Sequence, residues 1–168
     1  MGFERIYGYY FSNEGDFLWG TDGRLLYESD NYLAIAMDDE CFYVERIGIC
    51  GNQRLLDKIN YIGEMMWDES LLWIDSQGIN WTQMIANDDK IYLFYCLQTG
   101  NDYRYLVTFK GFDADGQLLE GIPDEGLIIC YDYCGQWLSA AESPEENNFI
   151  VLWKDYRSLG PNSSNHNH

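Results

Sequence analysis

The chain has 168 residues and a formal net charge of −18, from 28 acidic against 10 basic side chains, and both halves share it: residues 1–70 and 71–168 each hold 14 acids and 5 bases. Nucleic acid and anionic lipid are recognised through Lys/Arg clusters, which this chain lacks, so direct binding to either is disfavoured and a partner with a basic surface is favoured. A hydrophobic share of 46% and an aromatic share of 17% exclude a disordered chain and fit one globular domain over residues 1–160, with 161–168 as a disordered polar tail.

Short β-like runs fill the first part of the chain. "RIYGYYF", "DFLWG", "RLLYES", "YLAIAM" and "CFYVERIGI" are rich in aromatic and β-branched residues, and "SNEGD", "GTDG" and "MDDE" separate them as turns. From Asn52 the period changes. Leu55, Leu56, Ile59, Ile62 and Met66 recur at helical spacing behind Asn52 as N-cap, which predicts a mid-chain helix over 53–66. Strands resume with "LLWID", "GINWTQMI", "KIYLFYCL", "YRYLVTFKGF", "QLLEGI" and "LIICYDY". At the end, Ser143, Pro144 and Glu146 form a capping box with proline at the first helical position. Phe149, Leu152, Trp153, Tyr156 and Leu159 follow at helical spacing, which predicts a C-terminal helix over 144–159 closed by Gly160-Pro161. The expected fold is therefore α+β: a twisted antiparallel sheet or partial barrel of about 7–9 strands, with both helices packed on it.

Four turns resemble one another: "SNEGDFLW", "GTDGRLLY", "DSQGINW" and "DADGQLLE". Each is similar to the Asp- and Gly-containing blade turns of quinoprotein-like propellers. Their spacing is irregular, and four are too few to close a propeller at this length. They read as solutions to one geometric need, in which glycine supplies positive φ and Asp, Asn or Ser bonds the local backbone.

Much chemistry can be excluded. The two histidines, His166 and His168, stand in the polar tail, which rules out a Ser-His-Asp or Cys-His machine and a histidine metal site inside the fold. No phosphate-cradling glycine motif occurs. In "GFDADGQLLE", placing Gly116 at position six of a calcium loop puts Gly111 and Ile122 where carboxylates are required, so the segment is a hairpin turn. The five cysteines, Cys41, Cys50, Cys96, Cys130 and Cys134, are odd in number and lack a C-x-x-C, and they read as buried thiols of a reducing cytoplasm. Cys130 and Cys134 stand as a lone candidate zinc or redox pair, with no second ligand pair of the usual spacing to complete a zinc site. No secretory signal pattern and no apolar run of membrane-spanning length is visible, so a cytoplasmic location is expected.

What remains is charge at turns. Asp38, Asp39 and Glu40, Asp68 and Glu69, Asp88 and Asp89, Asp113 and Asp115, and Asp124 and Glu125 all fall at predicted loop tips with Tyr and Trp nearby. Together they suit steering toward, and occupation of, a basic surface, with aromatic side chains as anchors. The expected function is an acidic cytoplasmic binding or inhibitor protein, such as an immunity protein against a nuclease-type toxin or a nucleic-acid-mimicking antagonist of a defence system. It is expected not to be an enzyme, and no catalytic residue, metal or cofactor is assigned. The alternative is a small-ligand- or carbohydrate-binding β module, or a carboxylate-based enzyme in which two acids flank a sugar stacked on Trp19, Trp73 or Trp81.

Overall fold

The computed structural model describes residues 5–28, 32–48, 53–75, 78–99, 104–143 and 148–155, and these contain eleven strands and no helix. The expected α+β class is thus corrected to an all-β one. The chain divides into two compact units, residues 1–77 with 86–89, and residues 78–85 with 90–168.

In the first unit, β1 (Arg5–Gly8) and β2 (Arg24–Glu28) form an antiparallel hairpin, and β3 (Tyr32–Met37), β4 (Cys41–Ile47), β5 (Gln53–Asn60) and β6 (Leu71–Asp75) form a four-stranded sheet in sequence order. In the second, β7 (Ile79–Asn87), β8 (Lys90–Thr99), β9 (Arg104–Asp113), β10 (Leu127–Glu142) and β11 (Phe149–Asp155) pair in sequence order as a five-stranded sheet.

The predicted mid-chain helix over 53–66 is β5 followed by a turn. Leu55, Leu56 and Ile59 mimic a helical stripe, but a strand with both faces buried also places apolar residues on successive positions. Pairing with β4 decides the matter: Val44 faces Asp57, Tyr43 faces Lys58, and Glu45 faces Leu56. The polar residues that look like a solvated helix face are therefore inside, with Asp57 and Glu45 fully buried and Lys58 nearly so. Arg46 Nε donates to Asp57 Oδ2 at 2.7 Å while its Nη2 donates to Ser70 Oγ at 2.7 Å, and Lys58 Nζ sits 5.7 Å from the centroid of the Tyr43 ring. Burial pulls the Arg54 guanidinium below its ordinary pKa, and the charge of Glu45 partly restores it.

Within the predicted C-terminal helix, residues 149–155 are β11, while 144–147 and 156–159 lie outside the described residues, as does the tail at 161–168. "FIVLWKD" is β-branched and aromatic, and its alternation matches a strand with one packed face. Phe149, Val151 and Trp153 pack on the second unit's core while Ile150 and Leu152 face out. That core gathers Tyr92, Phe94, Cys96, Tyr105, Val107, Cys130 and Leu138. Cys41 and Cys96 are buried thiols as expected, the latter pushed up to about 11 by burial. Cys130 is instead disulfide-bonded.

One loop design recurs three times. Ser12, Asn60 and Asp113 each accept, through a side-chain oxygen, the N–H groups two and four residues ahead: Glu14 and Asp16, Ile62 and Glu64, Asp115 and Gln117. In each loop the glycine three residues on (Gly15, Gly63, Gly116) has φ between 79° and 91° and donates back to the backbone oxygen of that same residue. Apolar bridges close the base: Phe11 with Phe17, Ile59 with Met65, Phe112 with Leu118. The sequence pattern S/N/D-x-x-G carries this geometry because a short polar side chain replaces the missing backbone acceptor and glycine takes the left-handed turn without steric cost.

Candidate interaction surface

The acidic tips picked out in the sequence gather by strand direction. In the four-stranded sheet, β3 ends, β4 begins, β5 ends and β6 begins at one edge, so the 38–40 turn and the 61–70 loop emerge together. Tyr61 Oη donates to Asp38 O and ties them. Asp39, Glu40, Asp68 and Glu69 are exposed there. Asp38 is not a free tip: its Oδ1 accepts the N–H of Glu40 at 2.9 Å and of Cys41 at 2.8 Å, and its Oδ2 accepts from Tyr43 Oη at 3.3 Å. Burial would raise its pKa, but these hydrogen bonds outweigh it and hold the carboxyl below the ordinary value.

The second unit repeats the arrangement. β9 ends at Asp113 and β10 begins at Leu127, so Asp115, Asp124 and Glu125 leave one edge of the sheet, and all three are exposed. Asp88 and Asp89, which fall with the first unit, have φ of 47° and 59° and form the two-residue tip of the β7–β8 hairpin, the left-handed pair that a type I′ turn requires. Both side chains are exposed. Asp113 is spent on its loop clasp. Asp124 and Glu125 also act inward, since their charges support Lys110, whose pKa burial lowers. Tyr95 Oη donates to Glu125 O at 3.1 Å, and Gly126 is needed there because a Cβ would lie 2.7 Å from that hydroxyl. Of the eleven predicted acids, nine are exposed and two, Asp38 and Asp113, are turn-forming.

Sequence reasoning missed the surface beside these tips. Exposed and partly buried residues alternate from Tyr7 to Phe11. Trp19 and Leu26 turn inward onto Phe42, Val44 and Ile59, and Tyr10 stacks on Tyr61 with centroids 5.1 Å apart. Trp19 Nε1 donates to Tyr61 O at 2.7 Å. Tyr7, Tyr9, Phe11 and Phe17 turn outward and remain about half exposed, at 46–49%, with Leu25 at 43% beside Tyr7. The period-2 signal was present in "IYGYYF", but sequence alone does not say which of the two faces is covered.

Leu18, Trp19, Gly23, Arg24, Tyr61 and Ile62 line an open groove of about 440 Å³ where the first and second of the recurring loops meet. Arg24 Nη1 donates to Ile62 O across it. No carboxylate lines this groove, so it does not supply the paired acids of a glycosidase. Trp73 and Trp81, proposed as sugar platforms, differ: Trp73 is 3% exposed and inaccessible, and Trp81 packs edge-on against Tyr105 at 5.9 Å.

Among the described residues no group of three or more His, Cys, Asp or Glu side chains is placed to hold a metal ion, and no helix is long and apolar enough to cross a membrane. No protein family, curated protein or solved structure matches the chain.

Proposed function

We propose that the protein is an acidic binding protein that occupies the basic surface of a partner protein and thereby inhibits it, in the manner of a toxin-neutralising or nucleic-acid-mimicking antagonist. The observation that carries this reading is the emergence of the exposed carboxylates from one edge of each sheet, Asp39, Glu40, Asp68 and Glu69 in the first unit and Asp115, Asp124 and Glu125 in the second. Like charges held on short turns repel one another in the free protein, and a cationic surface relieves that repulsion. The result is fast, salt-sensitive association more than a large intrinsic affinity.

The test is capture of partners from the cell of origin on the immobilised protein at low and at high salt. One basic protein should be recovered at low salt and lost as salt rises, and it should bind the purified chain directly. Recovery of no basic protein at low salt overturns the reading.

A further inference from the structure

The outward face of the β1–β2 hairpin is an exposed aromatic stripe on the more acidic unit. Tyr9 and Phe11 stack with centroids 6.2 Å apart at 22°, Phe17 lies tilted against Phe11 at 4.8 Å, and its edge meets Tyr9 at 6.1 Å. Tyr7 continues the stripe along β1, with Leu25 opposite it on β2. The platform is held from behind and below. Gly23 has φ of 68° and brings the backbone so close to Tyr9 that a Cβ would lie 2.9 Å from the ring. The Ser12 clasp fixes the tip, and the Trp19 and Tyr10 contacts described above pin the inner face.

Carboxylates share the loop that carries the stripe. Glu14, Asp16 and Asp22 are exposed on the same 9–23 loop, and the unit as a whole holds 17 acids and 5 bases, a net −12. Of the hairpin's own bases, Arg24 lies across the groove toward Ile62 O, and Arg5 is in register with Glu28 at the start of β1.

Aromatic faces on a loop rich in carboxylates suit one cation above others. Guanidinium is planar and weakly hydrated, so it stacks on a ring while its edge donates to a carboxylate. The lysine ammonium is compact and strongly hydrated, and it gains less from such a platform. An anionic lipid surface is opposed by the charge, and a second copy of this chain would bring another −18 to the contact.

From this we infer that the Tyr7–Tyr9–Phe11–Phe17 face is a docking site for an arginine-rich segment of a protein partner. The inference rests on the proposed binding of a basic partner and specifies where and by which side chains that partner is held.

The experiment compares polyarginine with polylysine of equal length as probes, by titration calorimetry on the full chain. Polyarginine should bind about tenfold tighter than polylysine. The triple variant Tyr9→Leu, Phe11→Leu, Phe17→Leu keeps the face apolar, removes the rings, and should erase that preference while leaving the salt-dependent binding of both peptides. The single variant Phe11→Leu should reduce the preference partway, and it serves if the triple variant does not fold. A second set, Glu14→Gln, Asp16→Asn and Asp22→Asn together, should weaken both peptides and leave the preference for arginine standing. Equal binding of the two peptides by the natural chain, or a preference that survives loss of the rings, overturns the arginine site while leaving a basic partner in place. Binding of neither peptide overturns both.

Discussion

The two units solve the problem of burying a sheet with different chemistry. The five-stranded sheet packs an aromatic and aliphatic face, in which Tyr92, Phe94, Phe109 and Phe149 meet with ring centroids 4.6–6.5 Å apart. The four-stranded sheet buries charge: Asp57 and Glu45 are inaccessible, Lys58 lies over a tyrosine, and Arg46 bridges Asp57 and Ser70. The first unit also carries the larger share of net charge, −12 against −6 for the second. An apolar core tolerates loss of a contact in proportion to the cavity left. A buried ion pair fails abruptly when one member goes, because the survivor's charge has no compensation. The first unit is therefore the one whose stability depends on electrostatic pairing, and it is also the one that presents most of the charge to a partner.

The sharpest way to break this contrast is a pair of core truncations read by urea unfolding. Phe94→Ala in the second unit should cost about 4 kcal/mol. Asp57→Ala in the first should cost about 3 kcal/mol, despite removing fewer atoms. The double change Arg46→Leu with Asp57→Leu should recover most of the latter loss, since an apolar pair of similar size needs no charge compensation. Phe94→Ala should have no such rescue.

A smaller effect tests what the units share. Asp113→Ala and Asn60→Ala each remove a side chain that accepts two backbone N–H groups, and each should cost about 1–2 kcal/mol by thermal melting. Equal losses would establish that the recurring loop contributes alike in both units. A loss at one site alone would separate them.

The smallest expected effect concerns Asp38. Its carboxyl lies below its ordinary value of 3.8, so its charge stabilises the folded state fully above that value and progressively less as pH falls through the folded value. Asp38→Asn should be less stable than the natural chain by about 1 kcal/mol at neutral pH. The difference should vanish in acid, once pH falls below the lowered folded value, as followed by circular dichroism at matched ionic strength. A gap that persists in strong acid would show that the hydrogen-bond geometry matters and the charge does not.

The turns were the most legible part of the fold. "SNEGD" and "DADGQ" carry their own geometry, because an Asx or Ser clasp and a positive-φ glycine are decided within five residues. "NYIGE" has the same geometry around Asn60 and Gly63 but reads as the end of a helix, since Leu55, Leu56, Ile59, Ile62 and Met66 imitate a 3.6-residue stripe. The candidate site was legible in part. The acidic tips could be named one by one, and the strand directions then placed them at common edges. Asp38 and Asp113 could not be separated from the exposed acids, since whether a carboxylate serves a turn depends on hydrogen bonds that form after the chain bends.

By itself the sequence determined the charge and the positions of most turns, because these follow from composition and from interactions within a few residues. Tertiary structure alone decided three other matters. Pairing with β4 made 53–60 a strand, and pairing with β10 did the same for 149–155. The same pairing turned Asp57 and Glu45 inward, where a lone segment would leave them in water. The packing of Trp19 and Tyr10 against Phe42 and Tyr61 fixed which side of the hairpin is covered, and so left Tyr7, Tyr9, Phe11 and Phe17 outside. An alternating segment has two equivalent faces until another surface chooses one, and that choice is made by residues distant in the chain.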